Sequence, residues 1–80
     1  MNRLTREAAM TLCGAEAVNN VNELKPDFAR RDYGDRVCFI ACVTTNNRVL
    51  IAHYYQKRET VNAAQSLDEL SWSVDHYSIV

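Results

Sequence analysis

The apolar residues of the chain are densest in two runs on either side of Asn46-Asn47. The first run spans residues 37–43 and the second spans residues 49–55. Both runs are rich in β-branched and aromatic residues, which favour strands. Asn tolerates positive φ, so an Asn pair between two such runs is typical of a two-residue type I′ turn. The pattern predicts a β-hairpin over residues 36–57 that is apolar on both faces.

The turn also predicts the register of the hairpin, because partners in an antiparallel pair are equally distant from the turn. Val43 then faces Leu50, and successive side chains alternate between two faces. The first face comprises Val37, Phe39, Ala41, Val43, Leu50, Ala52 and Tyr54, and the second comprises Cys38, Ile40, Cys42, Thr44, Val49, Ile51, His53 and Tyr55. The alanines at the centre of the first face would let a helix approach closely, so we assign that face to the core.

The amino-terminal part of the chain has the composition and spacing of a helix from Thr5 to Leu24. Thr5 is a plausible N-cap, and the stretch 25–27 ends the helix because the residue before Pro26 is pushed out of the helical region. The apolar positions form two stripes on nearly opposite sides, and Gly14 lies where one stripe gives way to the other. Either one long helix is buried on two sides, or two helices meet at Gly14. We favour one long helix.

The remaining segments carry weaker patterns. Residues 29–35 are polar and contain a Gly-Asp turn signal, which indicates a connector. Residues 59–65 are ambiguous, whereas 66–70 reads as a short helix opened by a capping box and 74–80 as a strand. The sequence therefore predicts a single α+β domain over residues 1–80, with a long N-terminal helix packed on an antiparallel three-stranded sheet. The element order is α-β-β-(short α)-β.

Composition places the chain among globular proteins, with 48% hydrophobic and 24% charged residues. No apolar run approaches the roughly 20 residues that span a bilayer, and the first residues lack the apolar core of a signal peptide. The cysteines are Cys13, Cys38 and Cys42; the last two lie in one strand, roughly 13 Å apart, too far for a disulfide. We expect a cytoplasmic protein of a bacterial or phage-infected cell, with reduced, buried thiols and no membrane partner.

Charge is distributed unevenly along the chain. The net charge is −1, but residues 25–58 carry a balance of +4 and residues 59–80 a balance of −4. Such asymmetry either steers partners or reflects pairing of the basic hairpin with the acidic tail. We favour internal pairing.

Candidate chemistry is sparse. Cys38, Cys42 and His53 share the second face, but zinc sites usually need four converging ligands, and a nucleophilic cysteine needs a lowered thiol pKa. The two glycines do not form a phosphate-binding loop. We therefore predict no catalytic residues, no metal and no cofactor, and we do not expect an enzyme.

The second face is the predicted interaction site. A contiguous apolar patch of a few hundred Å² is unusual on a monomer and tends to mark an interface. The predicted interface residues are Ile40, Val49, Ile51, His53 and Tyr55, with Arg48, Lys57 and Arg58 at the rim. The competing interpretation is that residues 59–70 fold over this face and complete the core.

The function predicted from these features is a small non-enzymatic protein-binding module. Its partner is another protein, or a second copy in a homodimer, with the acidic tail as a possible mimic of nucleic-acid phosphates. In size and composition the chain resembles the small α+β proteins of bacteriophages and mobile elements, many of which inhibit a host enzyme or nucleoprotein complex by binding and occluding it. The resemblance rests on no residue motif.

The alternative is a weak nucleic-acid-binding protein. Basic residues bracket the hairpin, and Tyr54 and Tyr55 could stack on bases. A sequence pI near 6 and a helix without basic residues between Glu7 and Glu23 argue against it. The basic residues concerned are Arg30, Arg31, Arg36, Arg48, Lys57 and Arg58.

Overall fold

A computed structural model of the chain describes residues 3–24 and 28–80. It contains a four-stranded antiparallel sheet in the order β1-β2-β3-β4 together with short helices. The α+β class is confirmed, but the prediction of three strands was one strand short. The elements are α1 (Arg6–Cys13), α2 (Ala15–Glu23), β1 (Phe28–Tyr33), β2 (Arg36–Thr45), β3 (Arg48–Lys57), α3 (Arg58–Ala63), a 3-10 turn (Leu67–Glu69) and β4 (Val74–Ile79).

The central hairpin forms in the predicted register. Asn46 and Asn47 adopt φ values of 48° and 64°, the left-handed conformation that a type I′ turn requires at both central positions. Val43 pairs with Leu50, and the pairing continues without a shift to Arg36 and Lys57. Local turn chemistry therefore fixes the two faces of β2 and β3.

The prediction of one long amino-terminal helix was wrong, because α1 and α2 are separate helices. Gly14 lies between them with φ 91° and ψ 152°, and its N–H donates to the Met10 carbonyl at 2.8 Å. A single straight helix would bury two opposite stripes against a sheet that offers only one face. The break resolves this conflict because each helix turns its own apolar side towards the sheet. The buried helical residues are Ala9, Ala17, Val18 and Val21.

The predicted start of the helix is confirmed. The Thr5 side chain accepts a hydrogen bond from the Ala8 N–H at 3.1 Å, as an N-cap does. The predicted stop at 25–27 lies outside the described residues. Within the described part of the chain, no helix combines the length and the apolar character needed to cross a membrane.

The fourth strand, β1, occupies residues that were predicted to be a connector. Arg31 pairs with Cys38 and Tyr33 with Arg36, and Gly34 forms the turn between the strands with φ 62°. Its polar sequence gives no alternating pattern. Charged residues are common on edge strands because one side of such a strand has no neighbour and stays in water.

The core lies between the first face of the hairpin and the helices, as predicted. α2 contacts β2 and β3, whereas α1 contacts β4. Ala41 and Ala52 are fully buried at the centre of this face, which lets α2 approach closely. Trp72 adds an aromatic cluster, since its ring meets Phe39 edge-on at 5.2 Å and Tyr54 at 5.6 Å.

The segment after the hairpin also packs on the first face. Val61 of α3 belongs to the core cluster, and Leu70 and Trp72 pack against it. The interpretation that residues 59–70 cover the second face was therefore wrong. The reason is apolar contact, because Phe39 and Tyr54 form edge-on aromatic contacts with Trp72, just after this segment. The short helix predicted at 66–70 is a single 3-10 turn, in which Glu69 accepts from the Gln65 N–H at 3.0 Å.

Leu4, two residues before α1, pairs with the outer edge of β4. Leu4 donates its N–H to the Tyr77 carbonyl at 2.7 Å, and Tyr77 donates back to the Leu4 carbonyl at 2.9 Å. Tyr77 also donates its hydroxyl hydrogen to Asn22 at 2.7 Å, which ties β4 to α2. Leu4 is therefore fixed along β4, and Arg3 lies beside the second face.

We expect Gly14→Ala to destabilise the protein. Its φ and ψ lie in a region that is essentially restricted to glycine, so an alanine there costs about 1–3 kcal/mol. In a continuous helix the same change would stabilise by about 1 kcal/mol, so the sign of the effect separates the two architectures. Urea unfolding measures it, with the exposed Asn20→Ala as the control within α2.

Candidate interaction face

The second face of the hairpin is part of a larger surface, which we call the open face. It is the side of the four-stranded sheet opposite the helices, and no described helix packs on it. Strand pairing places on it Arg31 and Tyr33 of β1, Arg36, Cys38, Ile40, Cys42 and Thr44 of β2, Val49, Ile51, His53, Tyr55 and Lys57 of β3, and His76 and Ser78 of β4. The five predicted interface residues from Ile40 to Tyr55 all lie here, and each is partly exposed.

The predicted rim residues are less well grouped. Lys57 lies at one end of the open face, where it pairs with Arg36. Arg48 lies at the opposite end beside the turn, and strand alternation directs it to the other face. Arg58 begins α3, and its guanidinium lies 3.7 Å from the Asp32 carboxylate. The structure thus joins Lys57 to the face and places Arg48 and Arg58 elsewhere.

Four rings form a continuous row across the open face, which we call the ring row. Its centroids are 6.3 Å apart from Tyr33 to Tyr55, 6.2 Å from Tyr55 to His76 and 4.2 Å from His76 to His53. The Arg36 guanidinium carbon lies 5.4 Å from the centre of the Tyr55 ring, a cation–π contact. Sequence reasoning missed Tyr33 and His76 because it predicted neither β1 nor the pairing of β4 with β3.

Two histidines stack at one end of the ring row. Their rings are nearly parallel, with an interplanar angle of 10° between His53 and His76. Nε2 of His53 shares a hydrogen bond of 2.7 Å with the hydroxyl of Ser78. Nδ1 of His76 lies 2.8 Å from the Asp75 carboxylate, which also lies 3.8 Å from the Arg3 guanidinium.

The surroundings of His53 disfavour its charged form. Burial lowers the pKa of His53, and the nearby His76 and Arg3 lower it further, while Asp75 has a smaller opposing effect. His53 is therefore neutral at pH 7. The centre of the open face is an uncharged imidazole between aliphatic residues on one side and cations on the other.

A shallow groove follows the ring row. It encloses about 360 Å³ and runs between Arg3 on one side and Arg31 on the other. Ile40, Ile51 and Tyr55 are among the residues that line it. The groove joins an apolar surface to a cationic border, which is the composition expected of a binding site.

The surroundings of Cys38 disfavour its reactive thiolate form. Burial raises the pKa of the Cys38 thiol, although a hydrogen bond with Tyr55 and the charge of Arg31 oppose the effect. Cys42 is exposed and Cys13 half-buried, so the expectation of buried thiols holds only for Cys38. Across residues 3–24 and 28–80, no three His, Cys, Asp or Glu side chains form a group that could hold a metal ion.

We expect the imidazole of His53 to titrate below the ordinary value of 6.5. A histidine whose pKa is lowered by folding binds protons more readily when unfolded. Its contribution to stability is thus present above pH 6.5 and is lost as the pH falls from that value through the lower pKa of the folded state. An NMR titration of the ring protons measures the pKa. Urea unfolding between about pH 7.5 and 5.5 measures the loss, which we expect to be smaller in His53→Gln.

Comparisons with known proteins provide no family for this chain. No protein-family model, no curated protein and no solved structure matches it. The function has to be argued from the open face itself.

Proposed function

We propose that the protein is a non-enzymatic binding module that holds another protein against the open face of its sheet. One observation carries the proposal: the described helices and the segment 58–72 all pack on the other side of the sheet. Ile40, Val49 and Ile51 are left partly exposed on a surface that no described helix covers. An apolar sheet face of this kind is typical of an interface.

The aliphatic end of the open face provides the contact area. Ile51 pairs with Cys42, and Val49 with Thr44, on the two central strands. Burial of such surface contributes about 25 cal/mol per Å² removed from water. At Ile51, β3 pairs with both β2 and β4, so this part of the surface is preformed and little conformational entropy is lost on binding.

The cationic end of the face favours a partner other than a second copy. Arg31, Arg36 and Lys57 lie together there, so two copies stacked with these ends aligned would repel each other. A different protein with an acidic rim would instead be attracted, and its association would be accelerated. The resemblance to phage proteins implies that the protein inhibits a host enzyme or nucleoprotein complex by binding and occluding it. Such inhibition requires only a binding surface of this kind. The acidic residues after position 58 are separated, with Asp75 beside Arg3 and Glu69 in the 3-10 turn.

We expect Ile51→Asp to abolish partner binding while the domain stays folded. The buried carboxylate would lack a partner, and the penalty of several kcal/mol corresponds to a loss of affinity of about a hundredfold or more. Leu12→Asp is the matched control, because Leu12 is 49% exposed on α1, away from the open face. A photo-crosslinking residue at Thr44 should capture the partner in cells that encode the protein, and the same residue at Leu12 should not.

Three results would contradict the proposal. If the free energy of unfolding in urea is several kcal/mol lower for Ile51→Asp than for Leu12→Asp, the open face is part of the core. Adducts from Thr44 that persist in the Ile51→Asp background would place the partner elsewhere. Sedimentation as a dimer that Ile51→Asp dissociates would identify a second copy as the occupant.

A further inference from the structure

We propose that the cationic end of the open face binds single-stranded nucleic acid, with bases stacked on the ring row and phosphates at the arginines that border it. This activity goes beyond the protein-binding function and is centred on the cationic end of the same face. Proteins that bind single strands without sequence preference combine a positive groove with aromatic side chains on which bases stack. Both parts are present along the groove between Arg3 and Arg31.

The cationic end of the open face is positively charged, although the protein as a whole carries a small negative net charge. The net charge of the protein is −1, yet four cations surround the ring row. Asp75 is the carboxylate that borders the groove region, and it lies 3.8 Å from the Arg3 guanidinium, which leaves the local balance positive. The cations are Arg3, Arg31, Arg36 and Lys57.

The rings provide the second part. Tyr33 is the outermost and is 48% exposed, so one face of its ring is open to a base. Tyr55 lies 6.3 Å further along, and the guanidinium of Arg36 near its ring is itself a planar surface on which a base can stack. Beyond Tyr55, His53 and His76 stack on each other, and the His76 side chain is only 11% exposed, so these two rings close the end of the row. Because His53 is neutral, a nucleic acid that covers the groove would not bury a charged imidazole.

The ring row distinguishes this ligand from an acidic protein segment. Carboxylates would satisfy the arginines but would make no use of the Tyr33 and Tyr55 rings. A duplex fits less well, because its bases are stacked on one another and their faces are unavailable. The helices, which in other proteins enter the major groove, pack here against the opposite side of the sheet.

Fluorescence anisotropy with three probes of equal length tests the proposal. The probes are a labelled oligothymidylate of about 12 nucleotides, an abasic phosphodiester and an oligoglutamate, at about 25 mM salt. We expect the oligothymidylate to bind about tenfold tighter than either of the others, because they offer no base to stack. Its affinity should fall linearly with salt on a logarithmic plot.

Variants identify the residues. Tyr33→Leu should weaken oligothymidylate binding about tenfold. Arg31→Gln and Arg36→Gln should each reduce the salt slope by about 0.7. The matched control is Arg48→Gln, since Arg48 is an exposed arginine at the opposite end of the hairpin and should not change the affinity. Tyr33 is exposed enough that its replacement should leave the domain folded, and circular dichroism verifies this.

Several outcomes would overturn the proposal. Equal affinity for the abasic probe would show that the rings take no part, and equal affinity for oligoglutamate would indicate an acidic protein segment as the ligand. Absence of binding at low salt, or an Arg48→Gln variant as weak as Arg31→Gln, would also refute it. The proposed protein binding is tested separately: if Tyr33→Leu weakens nucleic-acid binding but the crosslinking residue at Thr44 still captures a protein, the two activities are distinct.

Discussion

The pairing of β2 with β3 through the Asn46-Asn47 turn determines which side chains face the helices. Both asparagines adopt positive φ, and the turn leaves no freedom to slip by a residue without losing its geometry. A slip would exchange the faces, burying His53 in place of Tyr54 and exposing Phe39. The aromatic cluster of Trp72 and the close approach of α2 over Ala41 both depend on this register. The same register determines which side chains lie on the open face.

The other elements adjust to this one-sided core. α1 and α2 separate at Gly14 because the sheet offers a single apolar surface to the helices, and the segment 58–72 completes the cover of that surface. Every described element that could have shielded the second side of the sheet is thereby committed to the first. The asymmetry of the fold is the reason that an aliphatic patch and a row of rings remain accessible on one surface.

Sequence reasoning recovered what depends on local chemistry. The type I′ turn, the register, the Thr5 cap and the division of the hairpin into faces all follow from residues that are close in the chain. It did not recover β1, whose charged residues pair with β2 only because an edge strand tolerates water on its free side. It favoured the wrong helix model because the cost of glycine inside a helix is small compared with tertiary packing.

The candidate site shows the same division. Ile40, Ile51, His53 and Tyr55 were predictable from alternation within the hairpin. Tyr33 and His76 lie beside them because of strand pairings that no local pattern encodes. These two residues complete the ring row. Arg3 lies at the groove because the neighbouring Leu4 pairs with Tyr77. A single sequence therefore reveals the apolar end of the open face and the basic residues around the hairpin, but not that Tyr33, His76 and Arg3 lie beside them.

The hydrogen bonds between Leu4 and Tyr77 have a further consequence for how copies of this sheet can meet. They occupy the outer side of β4 at its middle, so an incoming strand would have to displace the chain before α1. At the opposite margin, β1 has an irregular register and carries Arg31 and Asp32, features that discourage lateral addition. Sideways growth into a continuous, amyloid-like ribbon is thus blocked at both margins. Edge-to-edge pairing of copies is thereby disfavoured, and the flat of the sheet is the surface left open to contact.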